Sequence, residues 1–329
     1  MPERVLITGG TGFIGLHLAR ALVMRGARVT LVDNFSRGPL DDDVLGLLAD
    51  VELIERDLTV PLVDELPGRF DAVYHLAAVV GVRNCWERPH SVLRTNLLAS
   101  VHVADWCARH RPQRVFLSST SEVTDGAAAS GLCQIPVPED APVVINDLRL
   151  PRTSYAGSKI VGEQLWHHYA QAFGFQLRIA RYHNVYGPRM GNEHVIPELI
   201  GRVLDGMDPV PLFGAYQTRS FCYVTDAVEA TLALMDLPEA GSLLVNVGND
   251  REPIAIIDLA HRLFAVAGVT PGIEVHEPPP GSPAARLPHL ERLRSLTSVE
   301  PRVPLDEGLR QTLAWYAENR AASLPRPAS

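Results

Sequence analysis

The stretch Ser154-Tyr155-Ala156-Gly157-Ser158-Lys159 sets a phenol and an ammonium four residues apart. On a helix both leave the same face. A free tyrosine ionises near pH ~10, and bringing that to neutrality takes about 4 kcal/mol of preferential stabilisation of the phenolate. A neighbouring positive charge acts in that direction, which makes the pair a candidate base near neutral pH. A second group follows an apolar run: Ser118-Ser119-Thr120-Ser121-Glu122. A hydroxyl there can bond and polarise a substrate oxygen, and Glu122 offers a second acid or base. Each pattern also has a plain alternative, a surface helix in the first case and a hydroxyl-capped strand end in the second.

Elements that could position these groups begin at the amino terminus. Arg4 to Thr8 reads as a short apolar strand running into Gly9-Gly10-Thr11-Gly12-Phe13-Ile14-Gly15, and a helical pattern follows with Ile14, Leu18, Ala21 and Leu22 on one face. Strand, glycine turn and helix in that order make a phosphate cradle. Gly9 and Gly12 let the backbone turn and approach a pyrophosphate, and Gly15 permits close helix–strand packing. The next strand, Arg28 to Val32, ends at Asp33, at the distance expected of a carboxylate that holds a ribose diol. It would repel a 2′-phosphate, which favours NAD over NADP, with Arg37 nearby as the opposing charge. The positive ring of an oxidised nicotinamide would share with Lys159 the stabilisation of a Tyr155 phenolate.

The alternation continues. Val51 to Glu55 is a strand with Asp57-Leu58 beyond it, where an adenine ring can be flanked, and Ala72 to Leu76 is a buried strand ending in the small Ala77-Ala78. A helix runs from about His90 to Arg109 and a strand from Arg114 to Leu117. Strands separated by helical patterns imply a parallel, doubly wound sheet, whose ligands gather at the strands' carboxyl ends. Gly9, Asp33, Asp57, Ala77 and Ser118 all fall there. Residues 124–152 read as a loop over the site, the Tyr155 helix reaches about Phe173, and Leu177 to Arg181 is a further strand. The composition then shifts toward loops and short helices, which suggests a second lobe. It carries Arg219 and Arg286 in polar or proline-rich turns, two guanidiniums suited to clamping a diphosphate.

At 329 residues the chain can bury a large α/β domain and a smaller one, and a formal charge of −8 argues against a nucleic-acid partner. The four cysteines have no metal-ligand spacing and read as reduced thiols. No signal peptide and no run of ~20 apolar residues is visible, so no membrane partner and a cytoplasmic location are expected. The tail, 321–329, is expected to be flexible.

With these residues in view, nearly the whole chain resembles the extended short-chain dehydrogenase/reductase superfamily, and within it the nucleotide-sugar epimerases and dehydratases. The likeness rests on Thr8 to Gly15, Asp57-Leu58, His75-Leu76-Ala77-Ala78, Ser119-Thr120, Tyr155-x-x-x-Lys159 and Asn184-Val185-Tyr186-Gly187-Pro188. It implies a Rossmann-type doubly wound sheet with a smaller mixed α/β substrate-binding lobe. The NAD-binding domain would be 1–182 plus about 219–247, and the sugar-nucleotide lobe 183–218 and 248–320. Tyr155 would take a sugar hydroxyl proton while hydride passes to NAD⁺, with Lys159 on the nicotinamide ribose and Thr120 as the hydroxyl partner. NAD would meet Gly9, Gly12, Phe13, Ile14 and Gly15, then Asp33 and Asn34, Asp57 and Leu58, and Leu76, Ala77, Ala78 and Ser118. The nucleotide-diphosphate sugar would meet Val80, Gly81, Asn184, Arg219 and Arg286, with Phe213 against the base. A homodimer through the helices near 92–109 and 155–173 is also implied.

Two parts of the sequence point to different branches. Thr120-Ser121-Glu122-Val123, Gln217-Thr218-Arg219-Ser220-Phe221 and Pro283-x-x-Arg286-x-Pro288 look like UDP-glucuronate decarboxylases. Ala77-Ala78-Val79-Val80-Gly81 is similar to epimerases. After Pro188-Arg189-Met190, where the decarboxylases place a carboxylate-gripping arginine, the sequence reads Gly191-Asn192-Glu193-His194-Val195. Thr124-Asp125-Gly126 departs from the usual Tyr-Gly. The reading put first is an NAD-dependent nucleotide-sugar epimerase inverting C4 through a 4-keto intermediate. The alternatives are UDP-glucuronate decarboxylation, 4,6-dehydration or C3/C5 epimerisation through Glu122, and, from another class, a non-catalytic NAD(P)-binding regulator.

Overall fold

The computed structural model describes residues 2–319 except 39, 63–65 and 67–68; the expected flexible tail lies outside the described residues. Its centre is a seven-stranded parallel sheet. The first six strands are β1 (Arg4–Thr8), β2 (Arg28–Asp33), β3 (Val51–Glu55), β4 (Ala72–His75), β5 (Arg114–Thr120) and β6 (Gln176–Tyr182). The seventh is Ser242–Val247, and the spatial order is seventh, β6, β5, β4, β1, β2, β3. Every pairing in it is parallel. The strand order reverses between β1 and β4, and a crevice opens there at the carboxyl ends. Strand β5 extends three residues beyond the Leu117 expected from apolarity alone, carrying Ser118, Ser119 and Thr120 in register with Ala180, Arg181 and Tyr182.

Helices cover both faces. The first six are α1 (Phe13–Met24), α2 (Asp42–Leu45), α3 (Val82–Glu87), α4 (Pro89–His110), α5 (Asp125–Ala129) and α6 (Thr153–Phe173). One core layer joins Leu16, Leu18 and Leu31 to the helix Val224–Asp236; the other joins Val73 and Leu117 to Trp106 of α4 and Trp166 of α6. On α6 the face bearing Lys159 continues through Gly162, Glu163 and Trp166, so burial of the indole sets the rotation of the Tyr155/Lys159 face. Replacing Trp166 with alanine would cost about 3–5 kcal/mol. Gly174, at φ 79°, closes the helix in the left-handed region where a side chain is disfavoured.

The segment 124–152 is not wholly loop. It begins with a 3₁₀ turn, Ser121–Thr124, and α5, and the Thr120 hydroxyl accepts from the Glu122 amide at 3.3 Å. Beyond the main sheet, Thr218–Arg219 pairs with Ile254–Ala255 on one side and Ala285–Arg286 on the other, placing Arg286 directly opposite Arg219. A parallel pair, Val210–Phe213 with Ile273–His276, lies nearby in the chain's second half. Among the described residues no helix is long and apolar enough to cross a membrane.

Candidate active site

A cavity of about 510 Å³ runs along the carboxyl ends of the strands and is lined by nearly every residue singled out in the sequence. At one end stands the glycine turn. Gly9 has φ 70°, and a Cβ there would lie 2.7 Å from the Ala77 amide nitrogen; one on Gly15 would overlap the Gly9 carbonyl. The turn after β1 therefore meets the end of β4 because Gly9 lacks a side chain, and α1 meets the turn because Gly15 does. Asp33 accepts hydrogen bonds from the amides of Thr11 and Phe35, each at 3.0 Å, which fixes its carboxylate at the rim of the turn. Asn34 caps Ser36 N, and Asp57 caps Thr59 N beside buried Leu58. Phe13, Ile14, Gly12, Leu76, Ala77 and Ala78 complete this wall. A cradle from which Cβ atoms are excluded, with a fixed carboxylate at the end of β2, fits a dinucleotide.

In the middle of the cavity Lys159 is buried and donates to the Ser118 carbonyl at 2.8 Å. Its Nζ is 5.8 Å from the centre of the Tyr155 ring. Burial pulls the lysine pKa down to about 8, against a smaller raising effect from Glu163. In the ligand-free chain Lys159 does not offset the burial of the Tyr155 phenol. Burial first, then the negative charge of Glu122, push the Tyr155 pKa up, and the hydrogen bond to Thr120 and the charge of Arg286 offset only part of it. One of the three ammonium donors is on a backbone carbonyl, and the protein alone keeps residue 155 a neutral phenol. Beneath the pair, Glu163 takes two bonds from Arg181 (2.9 and 2.7 Å) and one from Ser119 (2.5 Å).

The other end carries a charge cluster. Arg286 forms a two-pronged pair with Asp125, one bond at 3.1 Å, and stands 3.7 Å from Glu122. Arg152 reaches Glu122 at 3.5 Å. Arg286, expected at the diphosphate, lines the cavity with its charge balanced by a carboxylate of this chain. Arg219 is bonded to Gln217 at 3.1 Å and Ser282 at 3.4 Å; burial, followed by the charge of Arg286, lowers its pKa to about 10. Asn184 takes φ 42° and donates to the Ser220 carbonyl at 2.9 Å. Phe213 is half exposed at the far end, stacked on His276 with centroids 4.9 Å apart. Val80 and Gly81 face Glu193, whose carboxylate occupies the space a Cβ on Gly81 would fill.

Asp125, Arg152 and Glu193 were missed as site residues by sequence reasoning. A signal existed for two of them. Arg152 precedes Tyr155 by three residues and Asp125 follows Glu122 by three, spacings that keep each on its neighbour's side of a helical turn.

The model of the NAD dependent epimerase/dehydratase family matches residues 5–248. A UDP-N-acetyl-alpha-D-glucosaminuronate decarboxylase from Bacillus cytotoxicus (strain DSM 22905 / CIP 110041 / 391-98 / NVH 391-98) is 34% identical over 330 residues, 97% of this chain and 99% of the relative. UDP-glucuronic acid decarboxylase 1 of Xenopus tropicalis is 32% identical, with 99% of this chain and 76% of the relative covered. Among solved structures, a UDP-galactose 4-epimerase superposes with a TM-score of 0.82 at 30% identity, covering 96% of this chain and 99% of that one.

Proposed function

The chain belongs to the NAD-dependent epimerase/dehydratase family, and on that premise we propose that it decarboxylates a nucleoside-diphosphate uronate through a ketone at C4 of the sugar. The carrying observation is the placing of Tyr155 and Thr120 in one cavity with Glu122, the added acid/base, beside a dinucleotide cradle. The full-length likeness to uronate decarboxylases supports this reading over C4 inversion.

The glycine turn, Asp33 and Lys159 would hold NAD⁺, which when bound would supply hydride acceptance at C4 and its later return. Tyr155 receives the C4 hydroxyl proton, and Thr120 holds that oxygen through its hydroxyl. The burial that keeps the phenol neutral is overcome only when positive charge is brought beside it, so base strength is coupled to cofactor loading. A ketone at C4 is β to the C6 carboxylate. The C5–C6 bond then breaks with its electron pair drawn toward the C4 oxygen, CO₂ leaves, and C5 takes a solvent proton relayed through Glu122. Arg286 and Arg152 hold Glu122 at the sugar end, and the buried position of the pair limits water at the reacting carbons.

C4 inversion stands as the second reading because residues 190–195 contain no arginine and because of the likeness to a 4-epimerase structure. NAD-loaded protein incubated with UDP-glucuronate, UDP-N-acetylglucosaminuronate and UDP-glucose in heavy water separates the two. CO₂ release with one deuterium at C5 is the expected result. A C4-inverted product with no CO₂ and no ring deuterium would replace this reading with the second.

A further inference from the structure

A sugar carboxylate entering this cavity needs a cation, and the wall formed by residues 190–195 provides none. Glu193 stands there instead, its carboxylate against Gly81. His194 is neutral at pH 7, because burial and then the charge of Arg37 bring its pKa down to about 4. The cation beside this wall, Arg37, lies against Gly191 and faces the carboxylates of Glu193 and Asp33.

Of the cations lining the cavity around Tyr155 and Glu122, most are committed. Lys159 is bonded to the Ser118 carbonyl at 2.8 Å. Arg286 is held by both oxygens of Asp125. Arg219 is tied to Gln217 and Ser282 in the strand that pairs with Arg286. Arg152 differs. Its contact with Glu122 is a single bond at 3.5 Å, long for a charge-assisted pair. Its side chain is only 14% exposed and faces the same cavity as Tyr155. A guanidinium has five donors in a planar fork, enough to keep one oxygen of Glu122 and take a second carboxylate with two parallel bonds.

We infer that Arg152 is the specificity-determining residue that grips the substrate's C6 carboxylate, in place of the arginine missing after Met190. The inference rests on the uronate reading. It deepens it by making recognition of the acid a property of the helix that carries Tyr155. Carboxylate and C4 hydroxyl are then both referred to one rigid element, three residues apart. Glu193, across the pocket, disfavours the reversed placement of the acid.

The test is calorimetric binding of UDP-glucuronate, UDP-glucose and UDP to NAD-loaded wild type, Arg152→Gln and Arg152→Lys, with CO₂ release assayed in parallel. Wild type should prefer the uronate. Arg152→Gln should weaken UDP-glucuronate by about 10–100-fold, the range for a hydrogen bond between charged groups, and leave UDP-glucose and UDP within about threefold. Arg152→Lys should recover part of the loss, and the decarboxylation defect should lie mainly in KM. Retained UDP binding reports an intact pocket. Equal weakening of all three ligands, or a wild type with no preference for the uronate, overturns the assignment even if CO₂ is released. Selective loss of uronate binding in a protein that releases no CO₂ upholds the assignment and overturns the decarboxylase reading instead.

Discussion

At the dinucleotide end of the cavity contacts are made by backbone and kept open by missing side chains: Gly9 abuts Ala77, Gly15 abuts Gly9, and Asp33 is pinned by two amides. At the sugar end the surface is made of charged side chains from well-separated segments, with Glu122 and Asp125 from one turn, Arg152 from the position just before α6 and Arg286 from a distant strand. The first construction tolerates almost no change of residue. The second can be re-paired by changing one carboxylate or one guanidinium, so a shared first step can lead to different products in proteins of one fold.

Experiments that break this contrast differ in the size of their effects. The largest belongs to the chemistry between the two ends: Tyr155→Phe should lower turnover by about 10²–10⁴-fold and leave NAD binding unchanged. A comparable loss of NAD affinity would mean that the phenol serves the cradle rather than the reaction. Next is the cradle itself. Gly15→Ala forces a methyl into the Gly9 carbonyl, so a stability loss of about 1–3 kcal/mol is expected, with NAD affinity falling alongside it. A variant that melts and binds NAD like wild type would remove the claim that this end is intolerant.

At the sugar end, Asp125→Asn removes half of an ion pair whose side chains are 11% and 23% exposed. A destabilisation of about 1–2 kcal/mol is expected in the ligand-free protein. UDP should raise the melting temperature more in this variant than in wild type, because Arg286 becomes free to meet the diphosphate. Equal ligand-induced shifts would show that Arg286 stays on the sugar side.

The smallest effect is a pH dependence. Burial lowers the Lys159 pKa to about 8, below its ordinary value, so between about pH 8 and ~10.4 the unfolded chain binds more protons at this site than the folded one. Folding stability from this group therefore rises with pH through that window. Denaturant melts of wild type and Lys159→Met should converge, wild type gaining on the variant as pH goes from 8 to 10. A constant gap would place a charged, solvated lysine in the folded protein.

How much of this was legible in the sequence follows the same division. Gly9, Gly15 and Asp33 were readable because a backbone approach permits few residue types and acts over short sequence spacing. Tyr155 and Lys159 were readable because helical spacing places them. The orientation of the ammonium was not: its bond to Ser118 crosses 41 positions, and no periodicity reports it. The pairing of Arg286 with Asp125 spans 161 positions, so an arginine in a proline-rich loop looked available for phosphate. On the sequence C4 inversion comes first because Ala77 to Gly81 is similar to epimerases and no arginine follows Met190 in residues 191–195. The spacing of Arg152 from Tyr155 is visible there, but its contact with Glu122 crosses 30 positions and is not.

The helix Leu305–Glu318 carries Trp315, which donates to Asp43 at 2.7 Å, and Tyr316, which donates to the Met190 carbonyl. In the same region Arg189 clasps Asp41 at 2.6 Å and the Thr11 carbonyl at 2.5 Å. During synthesis, the glycine turn leaves the ribosome some three hundred residues before the indole and phenol that brace its surroundings. The nucleotide seat is thus begun at the glycine turn and fastened some three hundred positions further along the chain, so a nascent chain that has not yet added the helix Leu305–Glu318 would present the cradle without its outer clasp.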